Sequence, residues 1–302
     1  MSTKIKRSGI VVLICLLLFT GYLGYRVADL YFSVNTSLEN SNPAGDREQP
    51  QPDPKEGEED ILNVLLVGVD TKDSSGRTDT IMLARYNKDT KDVGLISIPR
   101  DTKVKLPSRG EEKINHAHAY GGTSYLIETV EDFLDIPIHN YVRVNMIGFK
   151  NSIDILGGIK LNVERDMYWS SYGGEDVINI KAGEQVLNGK EALQYVRYRG
   201  GPEGDIGRAR RQQKLLQATI DELLQFSSVT KINDLMNEVS ENVSTDFELT
   251  ELMNYGRNFY QIDWDNMDPK ILPGESEQIG GIWYYLADED ELEEAINQLI
   301  ED

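Results

Sequence analysis

Residues 61–70 read ILNVLLVGVD, a continuous apolar run from which we infer the class of fold. Such a run is typical of a strand buried on both faces, as in the sheets of α/β proteins. A second strand is predicted at 78–87 (TDTIMLARYN) and a third at 93–100 (VGLISIPR), with the polar turn NKDTKD between them. Two strands joined by so short a turn indicate a hairpin, so the sheet contains an antiparallel pair.

Strands and helices alternate in the sequence that follows. Further strands are predicted at 138–145, 158–164 and 280–287, and helices at 123–134, 146–158, 188–197, 207–226, 232–239, 248–260 and 288–302. This alternation is typical of helices packed on the faces of a central sheet. We therefore predict an α/β fold, a three-layer α/β/α sandwich around a mixed central β-sheet, preceded by an N-terminal transmembrane helix.

The first thirty residues differ from the rest of the chain. Lys4, Lys6 and Arg7 precede an apolar run at 9–25, and about 17 such residues are the short end of what crosses a hydrocarbon core. The basic residues predict a cytoplasmic N-terminus. A cleaved signal peptide is the alternative, although its apolar region is usually shorter and ends in a small-residue cleavage motif that we do not find here.

Three parts of the chain follow from this pattern. We predict a cytoplasmic tail and transmembrane anchor at 1–30. A disordered extracytoplasmic tether is predicted at 31–60, because a segment rich in Pro, Glu, Asp and Gln cannot bury enough surface to fold. A folded domain is predicted at 61–302.

Charge and cysteine content exclude several classes of protein. The formal net charge is −20, and because residues 1–30 hold four basic residues and one acidic residue, residues 31–302 carry −23. Such an acidic domain argues against nucleic-acid binding, which needs a broad basic surface. The only cysteine, Cys15, lies in the apolar run, so the exported domain has no disulfide, cysteine nucleophile or Cys-based metal site. His116 and His118, without a third ligand, are poor indications of zinc.

Two acidic residues stand at the ends of predicted strands. Asp70 closes the first strand, and Asp79 lies at the start of the second. Ligands of open α/β sheets usually bind at strand ends, and a pair of carboxylates suits a hard divalent cation such as Mg²⁺. The alternative is that Asp70 caps a turn and Asp79 is an exposed loop residue.

Residues 195–213 read YVRYRGGPEGDIGRARRQQ and contain five arginines, the residue suited to bidentate recognition of phosphate or carboxylate. Helical spacing puts Arg208 and Gln212 in line with the apolar stripe that follows, and Arg211 close to it. Inward-pointing arginines need an anion, and the helix N-terminus adds free N–H groups. The alternative is a solvated basic face or salt bridges to Glu203 and Asp205.

Taken together, these segments closely resemble the LytR–CpsA–Psr family of bacterial cell-wall proteins. The matching motifs occur in order over roughly 63–224: LLVGVD, GRTDTIML, LISIPRDT, EKINHAHAYGG, IGFKNSIDILGGI, LNGKEALQYVRYR and GRARRQQ. The resemblance implies that 61–302 is a phosphotransferase domain on the outer face of the cytoplasmic membrane. Such proteins move a polyprenyl-pyrophosphate-linked glycopolymer onto the 6-hydroxyl of N-acetylmuramic acid in peptidoglycan. Wall teichoic acid is the polymer expected of a Gram-positive version, with capsular and secondary wall polysaccharides as alternatives.

The resemblance also implies roles for individual residues. Asp70 and Asp79 match the acidic pair that holds Mg²⁺ (or Mn²⁺), and Asp79, Arg77 and Arg100 are the predicted catalytic residues. The predicted pyrophosphate clamp comprises Arg77, Arg100, Lys113, Arg197, Arg199, Arg208, Arg211 and Gln212. The chain departs from some relatives in its short loop TKDSSGRT and at Val104, where some members carry another arginine.

Two other functions remain compatible with these residues. A pyrophosphatase that hydrolyses the same lipid donor would need the same clamp. A non-catalytic, membrane-tethered regulator of the cell wall would bind the donor without transferring it. Whether the protein is a transferase or a pyrophosphatase, we expect an apolar slot for the lipid between the sheet and the helices.

Overall fold

A computed structural model describes residues 60–70, 76, 78–171, 177–200, 204–225, 231–247, 251 and 269–299. The predicted anchor at 1–30, the predicted tether up to residue 59 and Arg77 lie outside these residues, as does the predicted helix at 248–260 apart from Glu251. In the part of the chain that is described, no helix combines the length and the apolar character needed to cross a membrane.

Fourteen strands and six helices make up the described residues. The strands are β1 (Ile61–Val69), β2 (Thr78–Asn87), β3 (Val93–Ser97), β4 (Lys103–Leu106), β5 (Gly110–Lys113), β6 (Asn140–Asn145), β7 (Ile159–Val163), β8 (Met167–Ser170), β9 (Val177–Ile180), β10 (Gly183–Leu187), β11 (Val243–Thr245), β12 (Pro269–Ile271), β13 (Gly274–Ile279) and β14 (Ile282–Ala287). The helices are α1 (Asn115–Leu134), α2 (Met146–Leu156), α3 (Gly189–Arg197), α4 (Gly204–Gln225), α5 (Ile232–Asn242) and α6 (Glu289–Asn297).

Six strands form the central sheet in the order β11–β6–β1–β2–β3–β12. Strand β1 pairs antiparallel with β2 and parallel with β6, β3 pairs antiparallel with β2 and parallel with β12, and β11 pairs antiparallel with β6. The predicted mixed central sheet is therefore confirmed. Because β1 and β6 are parallel, Val69 and Asn145 end side by side, and the start of β2 lies at the same edge.

Helices pack against both faces of this sheet, as the alternation of side chains along β1 requires. Leu65 and Val67 point to one face, where they join a buried cluster that includes residues of α1 and α6. Leu66 points to the other face and packs with Met82, Leu95 and Leu216 of α4. A further cluster joins α2, α3, β7, β8 and β9 beside that second face.

Local signals set several element ends where the sequence predicts them. The side chain of Asn188 accepts a hydrogen bond from the backbone N–H of Glu191, whose own side chain returns to the backbone of Asn188, which is the capping box that starts α3. Helix α2 ends at Gly157, whose φ of 105° favours glycine.

Other boundaries differ from prediction. Helix α1 begins at Asn115 rather than at residue 123, and its kink at Gly121 and Gly122 explains why the pattern is regular only after the glycines. Helix α4 begins at Gly204, three residues before the predicted start, so Arg208 lies in the second turn. Eight short strands are missing from the prediction, because strands of three to six residues lack a distinct apolar run: β4, β5, β8, β9, β10, β11, β12 and β13.

Candidate active site

The carboxyl edge of the sheet brings two acidic side chains together. Asp70 directly follows β1, and Asp79 is the second residue of β2, opposite the end of β1. Their side chains are within hydrogen-bonding reach of each other. The structure thus brings together the two predicted metal ligands, and Asp79 is a half-buried strand residue instead of an exposed loop residue.

The two carboxyl groups differ in their affinity for a proton. Burial raises the pKa of Asp70, and the hydrogen bond to Asp79 and the charge of Asp79 raise it further, against the opposing effect of Arg197. Burial would also raise the pKa of Asp79, but the hydrogen bond from Asp70 and the neighbouring guanidinium of Arg100 hold it below its usual range. Asp79 is therefore the carboxylate that stays ionised, while Asp70 keeps a proton more readily.

Arginines flank this pair on both sides. Arg197 is the last residue of α3, and its Nη2 donates to Asp70 Oδ1 at 2.6 Å. Arg100 follows β3, and its Nη1 donates to Asp79 Oδ1. The two guanidinium groups come from different elements, yet both point at the same pair of carboxylates.

A third acid extends the network and was not predicted as a site residue. Asp101 Oδ2 lies 3.6 Å from Arg100 Nε, and its Oδ1 accepts a 2.9 Å hydrogen bond from Lys113 Nζ. Burial would raise the pKa of Asp101, but the hydrogen bond from Lys113 and the charge of Arg100 hold it below its usual range. Asp101 thereby fixes both cations at the side of the site. Its position directly after Arg100 was the only signal in the sequence.

Helix α4 contributes the inward stripe that its periodicity predicts. Arg208 is only 5% exposed and lies close enough to Asp79 and Asp101 to lower the pKa of both carboxyl groups. Gln212, one turn later, donates from Nε2 to the backbone carbonyl oxygen of Asp79 at 3.2 Å. The alternative pairing with Glu203 and Asp205 is not described, because Glu203 and the side chain of Asp205 lie outside the described residues.

Arg211 does not join this cluster, contrary to its predicted place in the pyrophosphate clamp. Its Nη1 lies 3.4 Å from Glu164 Oε1, and its Nη2 donates to the carbonyl oxygen of Tyr198. The guanidinium also lies over the Tyr198 ring, 5.5 Å from its centroid. Arg211 is buried because it ties α4 to the turn after α3.

The remaining predicted positions are distributed as follows. Arg199 is exposed beside the site, and no hydrogen bond or ion pair links it to the described residues. Val104, where some relatives carry arginine, is buried in the main core. His116 pairs with Glu112, whereas His118 is buried and its Nδ1 lies 2.7 Å from the carbonyl oxygen of Gly76. His118 therefore ties Gly76 to α1.

An apolar cavity of about 220 Å³ opens beside the charged cluster. It lies between the sheet and α2, α3 and α4, and the residues that line it include Leu66, Val144, Met146, Phe149 and Leu215. Gln212 belongs to the same lining, so the cavity adjoins the Asp79 carbonyl that this side chain binds. Its lining comes from six separate elements, which the sequence alone could not group.

The donor set of this site suits anions and a hard cation. In the described residues, no group of three or more His, Cys, Asp or Glu side chains could enclose a metal ion. Two carboxylates could still hold Mg²⁺, which commonly takes one or two carboxylates and completes its shell with water and substrate phosphates. Asp70 and Asp79 lie close enough together for one such cation to contact both side chains.

Known proteins are similar to this chain in sequence and in fold. The sequence profile of the LytR_cpsA_psr family matches residues 29–301. The Bacillus subtilis polyisoprenyl-teichoic acid–peptidoglycan teichoic acid transferase TagU is 36% identical over 283 residues, covering 93% of this chain and 88% of that protein. The Enterococcus faecalis TagU is 34% identical over 309 residues, 99% of each chain.

Solved structures agree with these sequence relationships. The crystal structure of Bacillus subtilis TagV aligns with a TM-score of 0.67 at 34% identity, covering 79% of this chain and 95% of that one. A structure of TagT bound to LI-WTA aligns with a TM-score of 0.65 at 27% identity, covering 86% of this chain and 94% of that one.

Proposed function

Since the chain belongs to the LytR–CpsA–Psr family, we propose that it is a polyisoprenyl-teichoic acid–peptidoglycan teichoic acid transferase. Relatives that are 34–36% identical carry this name, and TagT, a structural neighbour, binds LI-WTA. The donor is a polyprenyl pyrophosphate that carries an anionic glycopolymer, wall teichoic acid. The acceptor is the 6-hydroxyl of N-acetylmuramic acid in peptidoglycan, and the product is a phosphodiester.

One observation carries this proposal: Gln212 lines the apolar cavity and also donates a hydrogen bond to Asp79 of the charged cluster. The cavity and the charged cluster therefore adjoin. A lipid tail in the cavity would emerge at the carboxylate pair, with Arg100, Arg197 and Arg208 around its head group. The donor has this same order of parts, an apolar chain followed by a pyrophosphate. The site thus complements both ends of a lipid pyrophosphate.

The bonds that change define what the residues must do. The hydroxyl oxygen of the sugar attacks the phosphorus that bears the glycopolymer, and the bond from that phosphorus to the bridging oxygen breaks. Polyprenyl phosphate leaves, and the hydroxyl proton passes to a carboxylate, for which Asp79 remains our first candidate although its lowered pKa makes it a weak base. Arg100, Arg208 and Lys113 stabilise charge on the phosphate oxygens, which is the main requirement of phosphoryl transfer.

A divalent cation, Mg²⁺ or Mn²⁺, would be held by Asp70 and Asp79. When bound, it would neutralise charge on the pyrophosphate oxygens. The support for this part is the donor set itself, because the two oxygen-bearing side chains leave coordination positions for substrate phosphates. The arginine pairings of Asp70 and Asp79 would rearrange toward the substrate when the cation binds.

The setting that we propose is the outer face of the cytoplasmic membrane of a Gram-positive bacterium. The basic residues before the apolar run at 9–25 support a single-pass anchor with a cytoplasmic N-terminus. A tether at 31–60 would then confine the domain at 61–302 to the neighbourhood of its lipid-linked donor and let it reach peptidoglycan.

A transfer assay with the full-length chain in lipid vesicles tests the function. The donor is a polyprenyl pyrophosphate that carries a disaccharide, the acceptor is uncross-linked peptidoglycan, and parallel reactions contain Mg²⁺ or EDTA. We expect phosphodiester formation that requires Mg²⁺ and is lost in Arg100→Ala and Asp79→Asn, but kept in Val186→Thr, a change at an exposed strand residue outside the site.

Two other results would replace the proposal. Donor consumption with release of phosphorylated sugar and no attachment would identify a pyrophosphatase. Donor binding without consumption, with several donor sugars, would leave a membrane-tethered binding protein.

A further inference from the structure

Large apolar side chains are exposed at the end of the domain that holds the active site. Ile147 is 51% exposed, Trp169 is 49% exposed and Trp283 is 60% exposed. They belong to three separate elements, α2, β8 and β14. Strand β14 contacts the charged cluster directly, α2 follows the strand β6 that ends beside it, and β8 pairs with β9, which contacts the helix that ends in Arg197.

Ile147 lies near the end of the sheet at which β1 and β6 finish. It is the second residue of α2, which begins where β6 ends, and Asn145 at the end of β6 pairs with Val69. Its neighbour Met146 lines the apolar cavity. Ile147 is therefore exposed at the edge of the sheet where the cavity and the carboxylates lie.

Trp169 lies on the side of Arg197. Strand β8 pairs with β9, where Ser170 faces Val177, and the carbonyl oxygen of Val177 accepts a 2.7 Å hydrogen bond from Gln194 Nε2. Gln194 is one turn before Arg197 in α3, so this hairpin runs along the helix that ends at the site. Tyr168, next to Trp169, is exposed as well.

Trp283 belongs to β14, the strand that contacts Asp101, the residue after Arg100. Tyr285 of the same strand donates its backbone N–H to the carbonyl oxygen of Asp101 at 2.9 Å, and Lys113 Nζ lies 5.7 Å from the centre of the Tyr284 ring. The β13–β14 hairpin continues past these contacts to its turn, where Ile279 and Ile282 are also exposed. One pair of strands thus contacts α3, which ends in Arg197, and the other contacts Asp101 and Lys113.

We propose that this end of the domain docks on the surface of a lipid bilayer. Trp and Tyr are the residues that concentrate at membrane–water interfaces, where an amphipathic ring fits the head-group region. A domain (61–302) that carries a net charge of −17 gains no attraction from anionic lipid head groups. Contact through aromatic and aliphatic side chains is the means of attachment that remains. The inference rests on the proposed function in one respect, that the donor is a membrane lipid.

The length and direction of the chain allow this orientation. Strand β1 begins at the end of the sheet opposite the site, so the chain enters the domain on the far side from the exposed aromatic residues. The 35 residues 26–60 can span at most about 115 Å, whereas a domain of this size is about 45 Å across. The domain can therefore turn its active-site end toward the bilayer that holds the apolar run at 9–25.

Docking would bring the cavity to the lipid surface. The donor could then pass its polyprenyl chain into the cavity while the pyrophosphate meets the arginines, without exposing the whole chain to water. This explains why large apolar side chains surround a site that is otherwise strongly charged.

Tryptophan fluorescence of the full-length chain in vesicles tests the proposal, with acyl chains either brominated, which quenches nearby indoles, or unbrominated. Two variants keep one of the two rings each, W264F/W283F and W264F/W169F. A third variant, W169F/W264F/W283F with L223W, reports on the exposed end of α4 far from the site. We expect brominated lipid to lower the emission of Trp169 and Trp283 and to leave the reporter in L223W unchanged.

Each other result overturns the proposal. Equal emission in both lipids for Trp169 and Trp283 would show that neither ring meets the acyl chains. If a variant does not fold, the same comparison is made with the unaltered chain. Equal quenching of the L223W reporter would show that the domain has no preferred orientation. A change in emission on adding solubilised glycan strands, but not with brominated lipid, would assign the surface to saccharide. If the full-length chain did not float with vesicles, both the proposed docking and the predicted membrane anchor would be wrong. Because the signal requires no transfer, its failure is distinct from failure of the proposed function.

Discussion

Arg197 Nη2 lies 2.6 Å from Asp70 Oδ1, which joins the end of α3 to the end of β1 across 127 positions of the sequence. Both side chains are about half exposed. An ion pair this open to solvent contributes little to stability, typically about 0–1 kcal/mol. The pairing therefore matters less for folding than for holding a guanidinium ready beside the carboxylates.

Replacing Arg197 by Ala should weaken donor binding far more than it weakens the fold. Loss of a charge-assisted hydrogen bond to phosphate costs about 1.5–3 kcal/mol, roughly a 10- to 100-fold increase in Kd. Calorimetric titration with a short-chain polyprenyl pyrophosphate measures the Kd, and a thermal melt measures stability. Arg197→Lys keeps the charge but not the bidentate fork, so its Kd should lie between that of the unaltered chain and that of Arg197→Ala. An unchanged Kd in Arg197→Ala would exclude this residue from the clamp.

Binding of Mg²⁺ should weaken as the pH falls. The pKa of Asp70 is raised above 3.8, so this carboxyl group keeps its proton to a higher pH than an ordinary aspartate, and a cation must displace that proton. Below the raised pKa the apparent affinity should fall by up to about tenfold per pH unit. Mg²⁺ titrations over a series of pH values give the slope. Asp70→Asn should remove both the slope and most of the affinity, and an unchanged slope in this variant would place the cation elsewhere.

Arg208 and Arg211 form a matched pair, since both are buried on α4 and only the first faces the carboxylates. Arg208→Ala should lower kcat/KM by about 10²-fold or more, because it removes a cation that stabilises phosphate charge. Arg211→Ala should instead lower the free energy of unfolding by about 1–3 kcal/mol, a moderate loss because Glu164 remains partly hydrated. Steady-state kinetics and denaturant titration separate the two effects. A large kinetic defect in a folded Arg211→Ala protein would return this residue to the clamp.

Filling the apolar cavity should discriminate against long lipid chains. Val144→Phe places a ring in the lining, and each displaced CH₂ group of the lipid loses about 0.8 kcal/mol of burial. We expect KM to rise at least about tenfold for a long-chain donor and to change little for a short-chain donor. Val186→Phe, at an exposed position outside the cavity, is the control. Equal effects on both donors would show that the chain binds outside the cavity.

Much of the fold could be predicted from local patterns. The apolar run of β1, the hairpin of β2 and β3 and the glycine that ends α2 follow from side-chain spacing and backbone preference, which act within a few residues. Helical periodicity also predicts that Arg208 and Gln212 point inward, as the structure shows. Arg77 and the predicted anchor lie outside the described residues, so their roles stay predictions, as does metal binding by Asp70 and Asp79.

Residue order was enough to place the long strands β1, β2 and β3, most of the helices and the residue types at their ends, because propensity, periodicity and caps act over short distances. Three features depend on the packing of distant segments. Arg208 faces Asp79 while Arg211 turns to Glu164, Asp101 holds Arg100 and Lys113 in place, and six elements enclose one cavity. Helical spacing fixes the direction of a side chain to within a broad sector of the helix surface. The partner that it meets there is set by strands and helices from distant parts of the chain, packed around the same edge of the sheet.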